Sequence, residues 1–347
     1  MFGIYRTMLA IWVMIFHLLD FPVIGKFAVF AFFVLSGFLM TMIMHETYGY
    51  GFQGLKNYVA NRFLRLYPMY WAVAIFTVFV IYFVSEEYAF MYKAALQIPN
   101  DFYGVMTNVT MIFPALFPWD VVPRLSPPTW ALTVEIFFYI LIAVGVSKTK
   151  RSTEIWVGLS ALYYIGSYGF GLNESHRYGS VFGASLPFSV GAAAYHYKNE
   201  IYRIIASTCF ASSSFVMALY ILNALICAIL EYYGIKYSNY LVEIGKYFNI
   251  LLSVFLLNLL FFKGFSFVNK KVDNFIGDFS YPIYLCHWQC GLVASFLIYG
   301  SALDQTRGLS LDWLVLVAIM TLGVSLFFIY MIDKKVSKLR DRIKLRG

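Results

Sequence analysis

The sequence predicts an all-α fold: a polytopic membrane helix bundle of about ten transmembrane helices, with both termini in the cytoplasm. Three observations carry this expectation. The chain of 347 residues is 61% hydrophobic and only 13% charged, far from the balance of a water-soluble domain. Apolar runs of roughly 17 to 25 residues recur along nearly the whole length, each long enough to cross a hydrocarbon core of about 30 Å as a helix. Runs such as VAIFTVFVIYFV and ILLSVFLLNLLFF are apolar on every side, so the alternation of a membrane β-barrel is missing.

The first element, 4–21, has the outline of a signal peptide, yet His17 and Asp20 interrupt it and a second apolar run follows at once. It reads as an uncleaved helix. The second, 27–45, carries the small Ser36-Gly37 pair, which suits close approach of another helix. A loop holding Lys56, Arg62 and Arg65 follows, and the third helix covers 69–85, just beyond Pro68. The segment 102–118 is weaker: Asn and Thr residues interrupt it and prolines break its far end. Helices four and five cover 129–147, behind two prolines, and 154–171, after Lys148, Lys150 and Arg151. Helices six to eight cover 179–197, 205–230 and 241–262, and the last two cover 279–299 and 311–332.

Charge decides whether 102–118 crosses as well. Lys56, Arg62 and Arg65, then Lys148, Lys150 and Arg151, then Lys198 and Arg203, then Lys263, Lys270 and Lys271 fall in alternate loops, and the tail is basic too. The positive-inside rule puts all of these in the cytoplasm, which leaves 102–118 as a re-entrant or interfacial segment on the far side. One domain, 1–333, is followed by a basic cytoplasmic tail, 334–347. The net charge of +8 sits in short loops and in this tail, DKKVSKLRDRIKLRG, which reads as an anchor on anionic membrane lipid rather than a nucleic-acid surface. Four cysteines fall inside apolar runs, where they behave as small buried hydrophobes; the pattern gives neither a disulfide framework nor a metal site.

The polar residues inside these runs point to chemistry. Arg6 stands at the cytoplasmic entrance of the first helix, and His17 lies eleven residues on, about 16 Å along the axis and on nearly the same face. An ionisable residue at that depth is costly and marks a cavity or a functional path, and a neutral imidazole is suited to take a proton from a hydroxyl. Asp20 is placed to orient the ring. Arg62 and Arg65, one turn apart before Pro68, offer two guanidinium groups to phosphate oxygens. Glu135 stands in an apolar helix on the side opposite Arg62, behind Trp130, and an indole beside a carboxylate suits sugar recognition. Tyr281, Tyr284 and His287 form a stripe down one side of their helix.

These residues resemble a known family. Arg6 and His17 match an R-X10-H motif, and Arg62, Arg65 and Pro68 an R-x-x-R-x-x-P stretch. Trp130 to Glu135 is similar to W-[ST]-L-x-x-E, with Ala131 in place of the hydroxyl residue, and SYPIYLCHW is similar to Tyr-x-x-Tyr-Leu-x-His. The chain resembles the acyltransferase 3 family from residue 3 to about 290.

The resemblance implies a bacterial inner-membrane, multi-pass O-acetyltransferase. Its co-substrate is acetyl-CoA, with no bound cofactor, and its acceptor is a cell-envelope carbohydrate, either lipid-linked or mature: O-antigen, capsule or exopolysaccharide. Arg6, Arg62 and Arg65 are then expected to hold the donor, His17 and Glu135 to act in catalysis, and Trp130, Tyr281, Tyr284 and His287 to hold the acceptor. His17 acts either as a general base or as a transient acyl carrier. The rival class is a transporter of a lipid-linked saccharide that uses the same buried groups as a polar path.

Overall fold

Each apolar run is occupied by a helix in the computed structural model, which describes residues 2–300 and 310–344. In chain order the helices are α1 (Gly3–Leu19), α2 (Ile24–Ile43), α3 (Phe52–Val84), α4 (Glu86–Tyr92), α5 (Phe102–Thr110) and α6 (Trp130–Ala143). Then come α7 (Lys150–Gly169), α8 (Glu174–Tyr178), α9 (Val181–His196), α10 (Lys198–Ala206) and α11 (Ser213–Tyr232). The chain closes with α12 (Ser238–Phe262), α13 (Lys270–Asp278), α14 (Ser280–Tyr299), α15 (Leu311–Phe328) and α16 (Lys334–Lys344). No strand occurs among the described residues. Five helical stretches there are both long and apolar enough to cross a membrane: Ile24–Tyr48, Phe52–Val84, Ser213–Tyr232, Ser238–Phe262 and Leu311–Ile343.

Burial sorts the helices into an inner and an outer set. The most apolar window of α2 is 78% buried, whereas those of α11 and of the α15 stretch are 33% and 28% buried, so α2 is a core helix and the latter two turn most of their surface outward. Around α2 pack α1, α9, α12 and α6, while α14 packs on α1, α3 and α15. The α2–α9 contact is made by glycine on both sides. A methyl on Gly37 would lie 2.0 Å from the Phe188 carbonyl oxygen, and one on Gly191 would lie 2.0 Å from that of Val34. Only glycine lets these two backbones come so close. Ser36-Gly37 therefore packs as its small side chains suggest.

Several boundaries differ from the sequence reading. Helix α3 begins at Phe52, well before Pro68, which lies inside it. Arg62 and Arg65 are therefore on a helix rather than in a loop. Pro68 leaves the Leu64 carbonyl without its helical N–H, and close by the Tyr281 hydroxyl of α14 donates to the Leu66 carbonyl at 2.9 Å. The run 205–230 is broken: α10 ends at Ala206 and α11 starts at Ser213, behind a Ser212 N-cap that accepts from the Phe215 amide. Cys209 falls in that break and is exposed, unlike Cys227, Cys286 and Cys290.

Within 102–118, α5 is only nine residues long, about 13 Å, and so does not cross. Asp101 caps its start, and the last carbonyls, of Asn108, Val109 and Thr110, accept from Tyr70, Trp71 and Tyr67 of α3. The basic tail forms α16, which packs along α3 and gives the Arg340 carbonyl to Asn61 at 3.3 Å. Residues 345–347 of the expected tail lie outside the described residues.

Candidate active site

Helix α1 is held by α13. The backbone amides of Gly3 and Ile4 donate to the Asp273 carboxylate at 2.9 and 3.0 Å, a charged cap on the helix N-terminus. Thr7 adds a hydrogen bond to the Ile276 carbonyl at 2.6 Å. Arg6 is thereby set against Gly277, where an added methyl would lie 2.7 Å from the guanidinium. The side chain turns into a cavity of about 130 Å³ lined by Arg6, Arg62, Arg65, Ser36, Glu135, Tyr139, Tyr281 and Tyr284, with Ala131 and apolar residues of α2 between them. That volume takes a slender chain or a few waters and not a nucleotide.

Three guanidinium groups from two helices thus share one cavity with one carboxylate. Glu135 accepts from Ser36 of α2 at 3.0 Å and from Tyr139, one turn further along α6, at 2.7 Å. Arg65 pairs with Asp333 at 3.3 Å and lies 5.8 Å from the Tyr281 ring centre. Arg62 donates to the Asn61 amide oxygen at 2.7 Å. The Nε groups of Arg6 and Arg62 are buried with no acceptor among the described residues. Buried N–H donors left open in this way are rare in a finished fold, and an anion would satisfy them.

His17 lies deeper along α1, outside that lining. Its Nδ1 is 2.9 Å from Nε2 of His287 on α14, with the two rings stacked at a centroid distance of 5.2 Å. The second nitrogen of His287, Nδ1, lies 3.0 Å from the Ile283 carbonyl oxygen. A carbonyl only accepts, so that nitrogen carries the proton. With both rings neutral, His287 Nε2 is then an acceptor, His17 Nδ1 donates to it, and the lone pair of His17 is on Nε2. The pair is flanked by Trp288, at a ring distance of 5.3 Å from His17, and Lys93 lies 4.8 Å above the indole. The Trp288 Nε1 is buried without an acceptor among the described residues.

The fold brings together most residues that the sequence singled out, in a different grouping. Glu135 shares the cavity of Arg6, Arg62 and Arg65 instead of standing away from Arg62. Tyr281 lies beside Arg65 in that cavity. His287 touches His17 directly, and Asp20, expected to orient that ring, is exposed at the left-handed end of α1. Tyr284 donates to the Pro128 carbonyl at 2.6 Å and so clamps α14 to the turn before α6. Trp130 packs edge-on against Trp119 and Tyr178 at 5.1 and 5.6 Å, and the methyl-free Gly179 makes room for Trp119.

Sequence reasoning passed over Tyr139, although its i+4 spacing from Glu135 was a readable signal. It also passed over Asn61, Asp273, Asp333, Lys93 and Trp288, whose partners lie on distant helices. A family model described as an acyltransferase domain matches residues 4–330, and all the motif residues fall inside that span. No curated protein and no solved structure matches the chain. With a match covering nearly its whole length, this helical membrane protein belongs to the acyltransferase 3 family.

Proposed function

We propose that the chain is an O-acetyltransferase of a bacterial inner membrane that moves acetyl from cytoplasmic acetyl-CoA to a hydroxyl of a lipid-linked or cell-surface polysaccharide such as O-antigen, capsule or exopolysaccharide. In this reading ten helices cross and both termini are cytoplasmic. The observation that carries it is the sharing of α1 and α14 by an arginine cavity and a histidine pair, since Arg6 and Tyr281 belong to the first and His17 and His287 to the second. Arg6, Arg62 and Arg65 hold phosphate oxygens of the donor at the cytoplasmic end, with the nucleotide outside the narrow cavity and the slender pantetheine arm within it. Glu135 offsets part of their charge before the donor arrives. Eleven residues of α1 give the arm about 16 Å to cover before its thioester meets His17.

The transfer itself needs one base. Nε2 of His17 takes the proton of the acceptor hydroxyl as its oxygen attacks the thioester carbonyl. The C–S bond breaks, and the imidazolium returns the proton to the leaving thiolate, so that the ester and free coenzyme A are the products. Formation of an acyl-His17 followed by attack of the sugar balances equally. On the far side Trp119, partly exposed and backed by the buried Trp130 and Tyr178, is the aromatic surface for a sugar face.

The test is the mass of envelope polysaccharide from cells carrying the native chain or His17→Ala at matched membrane levels. The acetyl increment is expected with the native chain and is expected to fall by about 10²-fold or more in the variant. Equal acetylation in both discards the histidine mechanism. Acetylation in neither, with a native-dependent change in where the saccharide resides, favours transport.

A further inference from the structure

The family match ends at residue 330, before α16 begins. Yet α16 is built into the cytoplasmic end of α3. The Asn61 side-chain oxygen accepts from Arg62 Nη2 at 2.7 Å and also from Nε and Nη2 of Arg340, at 3.4 and 3.5 Å. Two guanidinium groups therefore meet on one neutral amide, and among the described residues no salt bridge within 4 Å reaches either of them. Arg65, one turn along α3, has Asp333. Around this point three further donors are buried without partners among the described residues: Nε of Arg62, the Asn57 amide nitrogen one turn before Asn61, and the Tyr48 hydroxyl. Tyr48 and Asn57 are 6% and 7% exposed.

Like charges brought together in a partly buried place, amid open donors, cost stability unless an anion completes them. We infer that Arg340 of the tail helix joins Arg62, with Asn57 and Tyr48, in a phosphate-binding site for the nucleotide end of the coenzyme A donor. The inference rests on the acetyl-CoA reading above. Phosphate oxygens also occur on lipid headgroups of the cytoplasmic leaflet. The donor is favoured because Arg62 lines the arginine cavity as well, which makes the two sites continuous.

The test compares acetyl-CoA with acetyl-pantetheine, which lacks the nucleotide and its phosphates, as donors for the purified full-length chain. In Arg340→Ala the ratio of kcat/KM for acetyl-CoA to that for acetyl-pantetheine is expected to fall by about tenfold. In Arg340→Lys, which keeps the charge but loses the fork, it is expected to fall less. If the alanine variant does not accumulate, the lysine variant decides alone, through a fall of roughly threefold against none.

An unchanged ratio overturns the inference. So does an unchanged ratio together with loss of the native chain's response to phosphatidylglycerol in reconstituted bilayers, which makes the cluster a lipid site. If the native chain uses neither donor, the acetyl-CoA reading itself fails, an outcome separate from a change in ratio.

Discussion

At the scale of single residues, the contact between His17 and His287 decides what each imidazole is able to do. Because the Ile283 carbonyl fixes the proton on one nitrogen of His287, the chain of hydrogen bonds leaves the basic nitrogen of His17 at Nε2. His287 is then a positioning residue, and its loss removes the hydrogen bond that sets the His17 tautomer. In His287→Ala, kcat is expected to drop by tenfold or more while the donor KM stays within about twofold, because the arginine cavity is untouched. Equal losses in kcat and donor affinity mean that the pair shapes the donor site instead. The Arg6–His17 spacing was legible in the sequence because helical rise is fixed. The partner of His17 was not legible, since nothing local tells that residue 287 faces residue 17. For the same reason Glu135 was read on the side opposite Arg62, whereas the crossing of α2, α3 and α6 places both in one cavity.

At the scale of elements, the close approach of α2 and α9 is what seats α2 among its neighbours. Both contacts are glycine against carbonyl, and α2 in turn supplies Ser36, Val29 and Leu39 to the cavity wall. Gly37→Val forces these helices apart, and the variant is expected to lose at least 1 to 3 kcal/mol of stability, seen as a lower unfolding temperature in detergent. An unchanged temperature means that the helices yield at this crossing. The existence of each long helix was readable from apolar length alone, which is why every expected segment holds a helix. Their ends were not. Pro68 looks like a start when read locally, but α3 runs through it and back to Phe52. The polar face of that earlier part, with Asn61 and Arg62, turns toward α16 and the cavity, so a hydropathy reading takes it for a loop.

At the scale of the whole molecule, α1 and α14 join the arginine cavity to the histidine pair, and Tyr284, which lines that cavity, clamps the turn next to the aromatic group of Trp119, Trp130 and Tyr178. The proposed transfer of acetyl from one side of a membrane to the other requires that the arginine cavity open to the cytoplasm. Leu39 is a suitable reporter, because it lines the cavity on α2, is partly exposed and carries no polar role. The background is favourable too: Cys227, Cys286 and Cys290 are buried, and only Cys209 is exposed among the four. In Leu39→Cys with Cys209→Ser, a membrane-impermeant maleimide is expected to react in inside-out vesicles, to react far more slowly in right-side-out ones, and to be slowed several-fold by coenzyme A. Reaction from the outer face alone would set the arginines toward the acceptor side, and the donor assignment of Arg6, Arg62 and Arg65 would fall with it. Protection by coenzyme A in inside-out vesicles ties the cavity, the topology and the donor together in one measurement, since each of the three has to hold for the thiol to be shielded.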